Sequence, residues 1–267
     1  MIELVHSGLP IFLNDDGSLI FKSPLEEKRP SFRRLEDMRE YLADPEASFD
    51  RDSIYEMYRQ IFLPADAEKF KKANLRFDLT VFHPGKLGCE FSKTIGHFHP
   101  KNQAGLNYPE IYEVLSGTAY FLIQKMDDSF EKILEAYLIK VNEGQHAVFP
   151  AGFGHVTINA TDKELVTANF VADVEGIYQP YKTRRGAAYY LLQNKEGNLE
   201  IQPNKNYKNL PALKNLKPKE TPEFSAMDGQ PMYISGQSNI NMLEYLNKPE
   251  LYSDKLSIQN CFTLLKL

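Results

Sequence analysis

The 267-residue chain has no tryptophan and only two cysteines, Cys89 and Cys261, far apart and in no metal-like spacing. That excludes a small disulfide-stapled scaffold and a cysteine-based zinc module, and it favours a reducing compartment. Basic residues do not predominate: 31 Lys and Arg against 36 Asp and Glu give a net charge of −5, so nucleic acid is not an expected partner. No run approaches the roughly 20 apolar residues needed to span a bilayer. The opening MIELVHSGLPIF has neither the basic start nor the long apolar core of a signal peptide. The expectation is a cytoplasmic protein away from membranes.

What is present is ordinary globular material. Hydrophobic residues make up 42% and charged residues 25%, enough for one large β domain or two small ones with a sizeable core. Residues 1–72 read as mixed. GLPIFLNDDGSLIF has two apolar runs around Asp15, Asp16 and Gly17, which predicts a hairpin. Ser31 fits the N-cap of a short helix carrying Leu35, Met38, Tyr41 and Leu42. Asp50 or Asp52 opens another, with Ile54, Met57, Tyr58 and Ile61 in helical spacing before Pro64.

From residue 74 short β runs follow one another, with turn signals about every ten residues: LRFDLTVFHPG, EIYEVLSGTAYFLIQ, KILEAYLIKVNEG, HAVFPAGFGHVTINA, ELVTANFVAD. This pattern predicts an all-β sandwich or barrel rather than a βαβ fold. After residue 195 the chain turns polar and proline-dotted, then ends in a short helical pattern and a strand. The expected organisation is three parts. Residues 1–72 hold a hairpin and short helices packed on a barrel, 73–195 form the barrel, and 196–267 wrap it or build a dimer contact.

Of the six histidines, His6 and His83 stand alone beside turns and read as surface or structural. His146 has no visible partner in the sequence. His97 and His99 lie one residue apart, so in extended chain they point the same way and could share a metal. His155 follows a Pro-x-Gly turn. Glu110 and Glu113 open the next strand; three residues apart, they face opposite sides, so only one can join the histidines. Three imidazoles and a carboxylate suit Fe2+, Mn2+, Zn2+, Ni2+ or Co2+ and leave positions open for a substrate.

Gly144, Pro150, Gly152, His155 and Asn159 match the second cupin motif at its fixed positions. The first motif is present as His97-x-His99, with Glu110 seven residues before Gly117. Ten residues, PKNQAGLNYP, separate His99 from Glu110 where cupins usually have three or four. RFDLTVFHPGKLGCEFSKTIGHFHP, YPEIYEVLSGTAYFLIQ and FPAGFGHVTIN together resemble the cupin-type glucose-6-phosphate isomerases, over roughly residues 74–190. The chain looks like a longer variant of that family.

The resemblance implies an all-β cupin double-stranded β-helix, a jelly-roll barrel with short N-terminal helices and extensions at both ends. It implies one divalent metal ion, Fe2+ first among the candidates, on His97, His99, Glu110 and His155. The implied reaction interconverts glucose 6-phosphate and fructose 6-phosphate, a step of glycolysis and gluconeogenesis. It would pass through a metal-stabilised enediolate with Glu110 moving the proton, or through a hydride shift with Glu110 as ligand only. Thr80 and Thr94 correspond to the family's substrate-contacting threonines, and Tyr112 to its tyrosine after the ligand glutamate. Tyr178 matches a further tyrosine. Phe170 and Gly176 stand where compact members carry a Tyr and a His. Gly96 allows close backbone approach to a ligand. Lys182 and Arg185, just after the barrel, are candidates for the phosphate. A homodimer is expected by analogy with edge-strand exchange in cupins. The alternatives are a sugar or sugar-phosphate binding cupin without turnover, and a metallo-cupin acting on another substrate.

Overall fold

Short strands with one apolar face must bury that face against another layer. The computed structural model, which describes residues 1–265, does this with two main sheets. The six-stranded sheet runs, in spatial order, His146–Phe149, Glu110–Ser116, Leu165–Ala172, Leu75–Phe82, Tyr55–Tyr58 and Ser31–Arg33. The nine-stranded sheet runs Leu199–Pro203, Tyr189–Gln193, Glu90–Lys93, Phe153–Asn159, Thr118–Met126, Ile133–Asn142, Lys214–Pro218 and Phe262–Leu264, with Lys86–Leu87 beside Glu90–Lys93. Between residues 110 and 172 the chain winds back and forth between the two sheets, the jelly-roll path of a cupin. The protein is all-β with a cupin barrel at its centre. Aromatic contacts tie the sheets together inside: Tyr112 to Phe121 at 4.9 Å and Phe121 to Phe149 at 5.1 Å between ring centres.

The hairpin at the start forms as expected, Ile11–Leu13 pairing with Leu19–Phe21, and Gly17 takes the positive φ of the turn. The two helices expected next do not form as read. Ser31 begins the edge strand Ser31–Arg33 instead of capping a helix; the short helix is Leu35–Met38, and the Arg34 N–H donates to the Asp37 carboxylate at 3.0 Å. Ile54, Met57, Tyr58 and Ile61 do not share a helix face. Tyr55–Tyr58 is a strand paired to Leu75–Phe82, with Met57 opposite Thr80. Tyr55, Met57 and Tyr58 are all buried, so both faces of this strand are apolar and its alternation vanishes from the sequence.

The later segment closes the back of the barrel. Lys214–Pro218 pairs in parallel with Ile133–Asn142, and Phe262–Leu264 pairs antiparallel to Lys214–Pro218. Behind the six-stranded sheet, Phe77 and Phe170 pack on Tyr233 and Phe70: ring centres lie 5.2 Å apart for Phe77–Tyr233 and 5.3 Å for Phe70–Phe170. Full burial of each such side chain contributes about 1.5–3 kcal/mol. Among the described residues no helix is long and apolar enough to cross a membrane.

Candidate metal centre

The GHFHP stretch crosses the mouth of the barrel. Gly96 takes φ +77°, and a side chain there would collide with Val156 and Tyr181. His97 then bridges His155 by two backbone hydrogen bonds, of 3.2 and 3.0 Å, and Phe98 bridges Ile177. The extended chain sends the side chains of His97 and His99 to one side. Glu110, at the start of its strand, meets them there.

The distances are short. His97 Nε2 lies 3.1 Å from His99 Nε2. Glu110 Oε2 lies 3.1 Å from His155 Nε2 and 3.4 Å from His99 Nε2. His97, Glu110 and His155 offer ligand atoms all within 4.8 Å of one another. His99 Nδ1 is 2.8 Å from the Tyr108 carbonyl, which accepts its proton and leaves Nε2 with a free lone pair. The Pro- and Gly-bearing loop between His99 and Glu110 delivers that carbonyl; Asn107 Nδ2 also donates to the His99 carbonyl at 2.6 Å.

Burial, then the neighbouring His155 and His99, holds His97 well below the usual imidazole range. Burial also lowers His99, against the pull of Glu110. Burial alone would raise Glu110, but His155 and then His99 outweigh it and leave the carboxyl below its usual range. The buried Oε2 of this carboxylate makes no hydrogen bond. Two ring nitrogens 3.1 Å apart can share only one proton between them. The donor set of imidazole nitrogens and a carboxylate oxygen fits a divalent cation.

Around this cluster is a cavity of about 590 Å³. Thr80, Thr94, Gly96, Tyr112 and Tyr178 line it, with His97, His99 and Glu110. Tyr112 OH sits 3.1 Å from His155 Nε2, and burial, then the charge of Glu110, pushes its phenol well above the usual range. Asn169 Nδ2 donates to Glu110 Oε1 at 2.7 Å and so fixes the carboxylate.

A family model described as glucose-6-phosphate isomerase (GPI) matches residues 32–209. The chain belongs to the glucose-6-phosphate isomerase family. It is therefore an enzyme, of the isomerase class. A glucose-6-phosphate isomerase of Thermococcus litoralis is 33% identical over 147 residues, covering 53% of this chain and 69% of that one. One of Pyrococcus horikoshii is 29% identical over 191 residues, 69% of this chain and 92% of that one. Among solved structures, oxalate decarboxylase of Bacillus subtilis overlaps 47% of this chain and 28% of its own at 21% identity, with a TM-score of 0.33. An oxalate oxidase overlaps 52% of this chain and 62% of its own at 18% identity, with a TM-score of 0.37.

Within this isomerase-family pocket several sequence-derived expectations change. Lys182 and Arg185 are not in its walls. Lys182 pairs with Glu40 at 2.7 Å, and Arg185 donates to the carbonyls of Leu42 and Arg39, so both tie the helix Gln179–Thr183 to the N-terminal segment. Phe170 is fully buried on the outer side of its strand, among Phe70, Phe77 and Tyr233. The neighbouring Asn169 is the residue that faces the cavity. Gly176 does line the wall, so close to His97 that a Cβ would lie 2.8 Å from its ring. His146 has a partner after all: Glu113, opposite it in register, with Nε2 3.5 Å from Oε1. Sequence reasoning missed Arg33, Tyr55 and Arg59, cavity residues that come from the segment read as helical. It also missed Arg76 and Asn169; for Arg76 the period-2 alternation with Thr80 was the available signal.

Proposed function

We propose that this chain interconverts glucose 6-phosphate and fructose 6-phosphate in the cavity beside His97, His99, Glu110 and His155, those four side chains holding one divalent cation. The observation that carries the reading is the convergence of three imidazoles and Glu110, with His97, His99 and Glu110 in the wall of a sugar-sized cavity of about 590 Å³, in a chain of the isomerase family. A bound divalent cation supplies polarisation of the carbonyl and neighbouring hydroxyl oxygens of the open-chain sugar.

The side chains divide the remaining work. Asn169 occupies Glu110 Oε1, which leaves Oε2 as the oxygen directed at the reacting end. An ionised Glu110 is the base available to carry a proton between C1 and C2. Tyr112, held protonated by burial, donates to a sugar oxygen. The Thr94 Oγ1 already accepts from Thr157 N at 3.0 Å, so its hydroxyl proton is free for the substrate; Thr80 and the Gly96 backbone lie beside it, and Tyr178 closes the rim. In this reading residues 73–195 are the catalytic barrel, 1–72 and 196–267 pack against it, and the molecule is a cytoplasmic homodimer.

The test is fructose 6-phosphate turnover, coupled to glucose-6-phosphate dehydrogenase. It is run on chelator-treated protein and after adding back Fe2+, Mn2+, Ni2+, Zn2+ or Co2+. The expected result is loss on chelation and recovery with at least one metal. No turnover under any condition overturns the reading. Running the reaction in D2O tests the proton route: deuterium at C2 of the product marks proton transfer through a base that exchanges with solvent and rules out a pure hydride shift.

A further inference from the structure

We infer that Arg33, from the edge strand Ser31–Arg33, is the residue that grips the phosphate of the substrate. This rests on the function proposed above for the identity of the ligand. The cavity contains three arginines, and two are already committed. Arg59 pairs with Asp78 at 2.6 Å, its other amino group resting on the Met57 sulfur. Arg76 pairs with Asp78 and with Asp173, at 3.1 Å each, and donates to the Val174 carbonyl. Arg33 has no carboxylate within salt-bridge distance among the described residues. Its guanidinium makes one hydrogen bond, from Nε to the Tyr55 hydroxyl at 3.3 Å. Both terminal nitrogens, with four N–H groups, face no protein acceptor among the described residues.

The anchor points toward the right end of the cavity. Tyr55 is 2% exposed, stands opposite Arg33 in register, and its hydroxyl lies beside the Ile95 backbone. That backbone joins Thr94 to Gly96, the hydroxyl and glycine already placed at the substrate. Tyr55 therefore holds a half-buried guanidinium next to the Thr94–Gly96 turn by its Nε, the one nitrogen that a terminal bidentate grip does not need. Two parallel N–H bonds from a guanidinium match two oxygens of a phosphate. The other cations near the cavity do not compete: Lys182 is held by Glu40, and Lys93 by Glu90 and the Tyr41 carbonyl. The same wall carries Glu175, which pairs with no cation among the described residues and would repel a phosphate placed against it. The arrangement thus sets which end of the sugar meets the histidines.

The experiment measures binding rather than turnover. Isothermal titration of the full chain, with Mn2+ added, gives Kd for fructose 6-phosphate, for unphosphorylated fructose and for inorganic phosphate. Arg33→Ala should weaken fructose 6-phosphate and inorganic phosphate by about 10- to 100-fold, as expected for loss of hydrogen bonds to a charged group. It should leave fructose unchanged. Arg33→Lys should recover part of the loss, and Tyr55→Phe should lose a smaller factor in the same direction. A melting curve for each variant shows whether it is folded. Unchanged phosphate affinity in folded Arg33→Ala, or an equal loss for fructose, overturns the assignment. So does a wild-type chain that binds neither fructose 6-phosphate nor phosphate. A chain that binds fructose 6-phosphate through Arg33 yet does not turn it over would sink the isomerase reading and leave the Arg33 assignment standing.

Discussion

The two faces of the strand Glu110–Ser116 carry similar chemistry to different ends. On the inner face Glu110 meets His99 and His155; on the outer face Glu113 meets His146. Both carboxylates are buried; Glu110 meets His155 of the facing sheet, whereas Glu113 meets His146 on the neighbouring strand of its own sheet. The inner carboxyl is held below its usual range because its imidazole neighbours outweigh burial. The outer one is raised, because burial outweighs the pull of His146 and its other neighbours. The outer carboxylate is also covered: Met232 N–H, at the start of the helix Met232–Ser238, donates to Glu113 Oε2 at 2.8 Å. A Glu–His contact becomes a site when several donors converge where a cavity reaches them. The same contact under a packed segment is a fastening.

Substitutions on each face should break this contrast in opposite ways. Glu110→Ala should cost about 10²- to 10⁴-fold in kcat/KM, the range for a positioned acid or base, with a native circular dichroism spectrum and reduced metal content. Full activity and full metal in that variant would put the two glutamates on the same footing. Asn169→Ala removes the partner of Glu110 Oε1 and should lower metal affinity by about 10- to 100-fold, read by competition with a chelating dye. Glu113→Ala should leave kcat where it was and lower stability by about 1–3 kcal/mol in urea, since it leaves the buried Met232 N–H without its acceptor and removes the carboxylate beside His146. A fall in kcat without a fall in stability would give the outer pair a catalytic part.

The smallest effect is in pH. The helix Ile258–Cys261 packs on the strand His146–Phe149 behind the barrel. Burial pushes the Cys261 thiol up to about 12 and the Tyr207 phenol up to about 12. Both are acids whose folded value lies above the unfolded one, near 8.5 for Cys and about 10 for Tyr. Their contribution is complete below those values and is lost as pH rises, because the unfolded chain ionises first. The melting temperature should therefore fall between about pH 9 and 11, and Cys261→Ala should flatten the first part of that fall.

How much of this was legible depended on whether a feature is local. The His-x-His pair, the strand around Ser116 and Gly117, and the turn before His155 are encoded by neighbours in the sequence, and the barrel could be read from them. The choice of Glu110 over Glu113 followed from alternation and family spacing. His146 looked unpartnered because its partner lies across the sheet, in a register no local pattern states. Tyr55–Tyr58 looked helical because a strand buried on both faces loses its period of two. Lys182 and Arg185 looked like phosphate ligands because charge was visible and direction was not; their acceptors lie in the segment 39–42. Asn169 and Phe170 show the same limit at single-residue scale, since one step along a strand turns the side chain to the other face.

The parallel pairing of Lys214–Pro218 onto Ile133–Asn142 also has a consequence for biosynthesis. A ribosome delivers the barrel strands before it delivers the segment that covers them. During that interval the Ile133–Asn142 strand presents an unpaired edge, and Glu113 with the surrounding aromatic surface faces water. Such an edge is a template for pairing with another chain. The hazard in making this protein therefore starts with the emergence of residue 172; it ends for the edge with the strand Lys214–Pro218 and for the Glu113 face only with the helix Met232–Ser238.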